Sequence, residues 1–168
     1  MKDQAWGDPC VLQWTDLVAS RGRILGALMP SQRSALIVEN AIVDMSVAAN
    51  VARSIGINTV LVYNTASKAQ FFLEQCLREE CAMPDVIVLD LDLEHESGYD
   101  LVRFRRTHPK LMSVPLVVWS VLGDHYRELC DIFKVTAFVP KWQGKEALRD
   151  ALACCVEQLP PLAAAESA

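Results

Sequence analysis

Residues 85–104 read DVIVLDLDLEHESGYDLVRF and place Asp90, Asp92, Glu94 and Glu96 in a short segment directly after an apolar run. A carboxylate at the end of a buried segment is costly unless something pairs with it, so Asp90 is expected to have partners. Other apolar runs end on groups that suit the task. Glu39 and Asn40 follow ALIV, Ser120 closes PLVVWS, and Lys141 follows AFVP. Carboxylate oxygens are ligands for a hard cation, and a lysine ammonium is a compact charge that can follow a phosphate. Together with a hydroxyl, these groups suit a cation and a phosphoryl group, with the Asp90 carboxylate as nucleophile.

That chemistry requires the runs to end at one place. The segments 35–39, 58–63, 86–90, 115–120 and 137–141 are β-branched and nearly continuously apolar, the pattern of parallel strands covered on both faces. Stretches of helical length alternate with them: 44–55, from Thr65 or Ser67 to about 80, from Ser97 and Gly98 to about 107, 124–133, and 145–159. In the last, Leu148, Leu152, Cys155 and Leu159 recur at helical spacing. Five strand–helix repeats with short connections predict an α/β, doubly wound, five-stranded parallel sheet. In such a sheet the carboxyl ends of the strands gather the chemistry, which brings Glu39, Asn40, Asp90, Ser120 and Lys141 to one edge.

The ordered set LIVEN, VIVLD, Gly98 eight residues beyond Asp90, VVWS ending thirty beyond, and AFVPK ending fifty-one beyond resembles the receiver domains of two-component response regulators over about residues 34–159. The resemblance implies a flavodoxin-like sandwich in which Asp90 accepts a phosphoryl group from a histidine kinase or histidine phosphotransfer protein. It implies that Ser120 bonds a phosphoryl oxygen, that Lys141 pairs with the phosphate, and that Ser120 and Phe138 form the switch. It also implies Mg²⁺ held by Asp90, by Glu39 and Asn40, and by the backbone carbonyl of Asp92. Such a domain is not an enzyme in the ordinary sense, since it catalyses only its own phosphorylation and dephosphorylation.

Several positions depart from the family pattern. Asn40 stands where a second carboxylate is common, so Mg²⁺ is expected to bind weakly. Glu94 replaces a common proline, Val121 replaces a small residue beside Ser120, and Pro140 precedes Lys141 rather than following it. Asn40 and Val121 keep a second expectation open: an unphosphorylated pseudo-receiver that serves as a protein-interaction module. A flavin or nucleotide protein of similar winding is the weakest reading, because no glycine-rich loop follows the first strand.

With 168 residues and 52% hydrophobic content, the chain supports one core. Sixteen Lys and Arg against 21 Asp and Glu give a net charge of −5, which argues against DNA or anionic lipid as a partner. The six cysteines show no CxxC pair or metal-type spacing and read as thiols of a reducing cytoplasm. No apolar stretch reaches the roughly 18 residues of a spanning helix, so a cytoplasmic location is expected. The run RFRR at 103–106 reads as a solvated helix face, His95 as a solvated loop residue.

Residues 1–33 read as a helical extension starting near Asp8 and Pro9, with Trp14, Leu17, Val18, Leu25 and Leu28 along an apolar face. That face either packs on its own domain or serves as an arm for homodimerisation or partner binding. Residues 34–159 form the receiver domain, and 160–168 a flexible tail. The expected whole is a stand-alone response regulator that signals through contact with an unknown downstream protein.

Overall fold

The computed structural model describes residues 32–121, 128 and 132–161. The expected N-terminal helix, nearly all of the tail and most of the helix expected at 124–133 lie outside them.

Five strands form one parallel sheet: β1 (Ser34–Val38), β2 (Thr59–Tyr63), β3 (Val86–Leu89), β6 (Leu116–Ser120) and β7 (Ala137–Pro140). Their order across the sheet is β2-β1-β3-β6-β7. β1 is thus the pivot of the winding, with β2 on one side and all later strands on the other. Between the strands lie α1 (Ile42–Ser54), α2 (Ala66–Leu77), α3 (Gly98–Arg106), a single-turn α4 (Pro109–Met112) and, after a short 3₁₀ turn at Lys141–Gln143, α5 (Gly144–Glu157).

The central strands are apolar throughout because each contributes to two cores. Leu36, Val38, Ile87, Leu89, Leu116 and Val118 face α2, α3 and α4, where they meet Ala69, Leu73, Leu101, Val102 and Leu111. The alternate residues Ala35, Ile37, Val86, Val88, Val117 and Trp119 face α1 and α5, against Ala48, Ala52, Leu148, Leu152 and Cys155. This period-two division across a covered sheet is why these strands show no polar alternation in sequence. Three residues of the stripe expected on the last helix, Leu148, Leu152 and Cys155, form the buried side of α5, while Leu159 lies beyond the helix end. Among the described residues, no helix is long and apolar enough to cross a membrane.

Helix starts follow local chemistry. The Thr65 hydroxyl accepts from the Lys68 N–H at 3.3 Å and caps α2, while Ser97 accepts from the Tyr99 N–H at 3.3 Å and caps α3. The acidic segment after β3 forms a two-residue hairpin, β4 (Asp92–Leu93) against β5 (Glu96–Ser97). Its Glu96 carboxylate reaches the N-terminus of α2, accepting from the Ser67 N–H at 2.7 Å and the Ser67 hydroxyl at 2.8 Å. These bonds to a helix N-terminus lower the Glu96 pKa. Gly98 then brings α3 against the same segment: a Cβ there would lie 2.3 Å from the Asp90 carbonyl oxygen.

The run RFRR is not the uniformly solvated face its charge suggests. Arg105 is buried, and its guanidinium donates to the carbonyls of Leu111 (3.1 Å), Met112 (3.1 Å), Val114 (2.9 Å) and Lys134 (3.2 Å). It ties the end of α4 to the segments entering β6 and β7. Arg103 and Arg106 stay exposed, the first paired with Asp100 and the second 5.8 Å from the Phe133 ring.

Candidate functional site

Of the four strands that supply these groups, three stop one residue short of the group that carries the chemistry. Glu39 follows β1, Asp90 follows β3 and Lys141 follows β7, whereas Ser120 is the last residue of β6. The main chain still anchors the two acids. The Asp90 N–H donates to the Val38 carbonyl at 2.9 Å, and the Glu39 N–H to the Tyr63 carbonyl at 3.0 Å. Glu39 and Asp90 are only 2% and 4% exposed, so both need compensation.

Lys141 provides it. Its Nζ donates to Asp90 Oδ2 at 2.6 Å, Glu39 Oε2 at 2.7 Å and Asp44 Oδ2 at 2.7 Å. An ammonium has three protons, and each goes to a different carboxylate. The other oxygens are also used. Asp90 Oδ1 accepts from the Ser120 hydroxyl at 2.7 Å and from the Asp92 N–H at 3.0 Å, and Glu39 Oε1 accepts from the Ala41 N–H at 3.0 Å. The two Asp90 oxygens are therefore held by different partners, one by a hydroxyl and an amide and the other by an ammonium.

The titration behaviour follows from burial against pairing. Burial raises the Glu39 pKa and outweighs the lowering by Lys141 and the Ala41 amide. For Lys141, burial works against the charged form, yet the bonds to Asp44, Asp90 and Glu39 overcome it and raise its pKa. The indole ring of Trp119 forms a further wall, with its centroid 5.2 Å from Nζ.

Asp44 was the residue missing from the sequence reading. The first turn of α1, rather than Asn40, brings the third carboxylate to Lys141. Its signal was there to be read: a helix that starts just after a strand end turns its first residues back toward that end, and Asp44 is the acid of that turn. The Asp92 side chain is exposed and its contact with Asp90 is made by its backbone N–H. Phe138 is half-buried against the core on the α2–α3 face. Glu94 and His95 are exposed at the hairpin turn, and Val121 is 60% exposed beside Ser120.

Of the expected metal-holding set, Glu39 and Asp90 are brought together at the Lys141 ammonium. Among the described residues, no three His, Cys, Asp or Glu side chains are arranged to hold a metal ion. In kind, the oxygen donors Glu39, Asp44 and Asp90 fit a hard divalent cation, and the Lys141 ammonium now holds their common focus.

No family model matches the chain, and no curated protein matches it either. Solved structures do. The phosphorylated cyanobacterial phytochrome response regulator RcpA shares 20% identity at a TM-score of 0.65, covering 80% of this chain and 100% of its own. The Mn²⁺-bound response regulator Rcp1 shares 20% at 0.63, covering 79% and 99%. The bacteriophytochrome response regulator RtBRR shares 21% at 0.66, covering 80% and 84%. The five-stranded order, the two covered faces and these neighbours agree: this chain has the fold of response-regulator receiver domains.

Proposed function

We propose that the chain is a receiver of a phosphorelay, in which Asp90 accepts a phosphoryl group from the phosphohistidine of a kinase or phosphotransfer protein. The observation that carries this reading is the environment of Asp90: a buried carboxylate at a strand end with Ser120 on one oxygen and Lys141 on the other. In the transfer, a lone pair of an Asp90 carboxylate oxygen attacks phosphorus. The phosphorus–nitrogen bond breaks, and its electron pair stays with the donor imidazole. Before transfer, Lys141 donates to Asp90 Oδ2 and so compensates the burial of that carboxylate. Afterwards its ammonium and the Ser120 hydroxyl are placed to donate to the new phosphoryl oxygens. Ser120 and Phe138 would then relay the change to a partner protein, as two packings of one fold biased by one modification.

Glu39, Asp44 and Asp90 are the residues that would hold a divalent cation such as Mg²⁺, which when bound neutralises phosphoryl oxygens and favours in-line transfer. The reading as an unphosphorylated interaction module drew support from Asn40. Asp44 supplies the carboxylate that Asn40 lacks and so supports the first reading.

The test is incubation with Mg²⁺ and acetyl phosphate, followed by intact mass. A gain of one phosphoryl group that vanishes in Asp90→Asn supports the proposal. No gain with acetyl phosphate or with a phosphorylated histidine phosphotransfer protein would leave the interaction module standing.

A further inference from the structure

We propose that Trp119 is a positioning residue whose indole face holds the Lys141 ammonium among Glu39, Asp44 and Asp90. In its bearing on phosphoryl transfer, this inference rests on the function proposed above. Three observations carry it. Nζ lies 5.2 Å from the ring centroid, inside the roughly 6 Å at which a cation is drawn to an aromatic face. The indole is 4% exposed, so water does little to screen that attraction. Finally, the Trp119 Nε1–H is buried and has no hydrogen-bond partner among the described residues.

The last point argues against a purely space-filling role. A buried donor without a partner is destabilising, and a phenylalanine would fill much of the same core without one. Indole has the strongest face for a cation among the aromatic side chains, and here that face meets an ammonium. Attraction to the ring is not directional in the way a hydrogen bond is. It can hold the lysine stem in place while the three protons point to three carboxylates.

Strand geometry places the ring correctly. β6 and β7 are neighbours in register, with Trp119 opposite Val139 and Ser120 opposite Pro140. Trp119 therefore lies on the strand adjacent to the one that delivers Lys141, and Ser120 follows it at the strand end. One dipeptide supports both oxygens of Asp90: Ser120 binds Oδ1 directly, and Trp119 acts on Oδ2 through Lys141.

The experiment uses the full chain with Trp119→Phe, Trp119→Leu and Lys141→Met, alone and combined. The first readout is the NMR shift of the Lys141 ε-methylene protons. A ring current moves them upfield in the wild type and in Trp119→Phe, and Trp119→Leu returns them toward ordinary lysine values. The second is the rate of mass gain at Asp90 with Mg²⁺ and acetyl phosphate. Trp119→Leu slows it about 3- to 30-fold, the range expected for loss of a desolvated cation–π contact, and Trp119→Phe stays close to the wild type. In the Lys141→Met background the same Trp119→Leu change has no further effect. Ordinary ε-methylene shifts in the wild type overturn the proposal. So does equal slowing by the Phe and Leu variants with and without Lys141, because the ring is then only core. If no variant gains mass, the phosphoacceptor reading fails while the NMR result still decides the role of Trp119.

Discussion

Arg105 offers the sharpest test of how the fold is held. The perturbation is Arg105→Ala. It removes the donor for four backbone carbonyls, of which the bonds to Leu111 and Val114 are fully buried. A buried acceptor left unsatisfied costs about 1–3 kcal/mol, so these two alone give about 2–6 kcal/mol. The variant recovers the desolvation of the guanidinium, whose pKa burial pulls down, and the net loss is expected at about 3 kcal/mol. That is a large share of the roughly 5–15 kcal/mol that holds a domain folded. Arg105→Lys keeps the charge, but a single ammonium does not span carbonyls reached by a planar fork, and it should recover only part of the loss. Arg103→Ala, an exposed pair, should cost less than about 1 kcal/mol. The assay is equilibrium urea unfolding, compared at equal m-values. An Arg105→Ala protein within about 1 kcal/mol of the wild type, or a lysine variant equal to arginine, would refute this account of the clamp.

Three further outcomes can be checked. Gly98→Ala should lose about 1–3 kcal/mol in the same urea assay, because its Cβ would meet main-chain rather than side-chain atoms of Asp90 and Leu91. Asp44→Asn should weaken divalent-cation affinity and Asn40→Asp should strengthen it, by isothermal titration with Mn²⁺; equal affinities would remove Asp44 from the site. The Glu96 pKa is lowered in the fold from its ordinary 4.5, so its contribution to stability is present above pH 4.5 and is lost as the pH falls through the folded value. Glu96→Gln should therefore flatten the acid limb of a stability–pH curve below that point, and an unchanged limb would count against the contact with Ser67.

The sheet was legible because burial on both faces leaves an unbroken apolar run, and β1, β3 and β6 carry such runs to their ends. The edge strand β2 was also readable, although the Val62 side of it remains partly exposed. What escaped was structure without a period. The β4–β5 hairpin has only two residues a side, and the α4 turn only four, too short for alternation or an amphipathic stripe to show. The clustering of Glu39, Asp90, Ser120 and Lys141 was legible because each ends an apolar run. Asp44 was missed because it sits inside a helix, where its reach to Lys141 depends on the direction of the first turn. Arg105 was missed for a different reason. Two exposed arginines flank it, and composition alone does not show which member of RFRR turns inward.

The anchoring of Glu39 and Asp90 to the carbonyls of neighbouring strand ends has a dynamic consequence. Both acids hang from the last rungs of the parallel ladder, so their separation widens only when those rungs open. Their amide protons should exchange with deuterium as slowly as those of the central strands, even though the groups they carry line the rim where solvent begins. A charge cluster fixed in this way sits on a rigid frame, so any change of state that follows the proposed phosphorylation must be taken up by the side chains and loops around it.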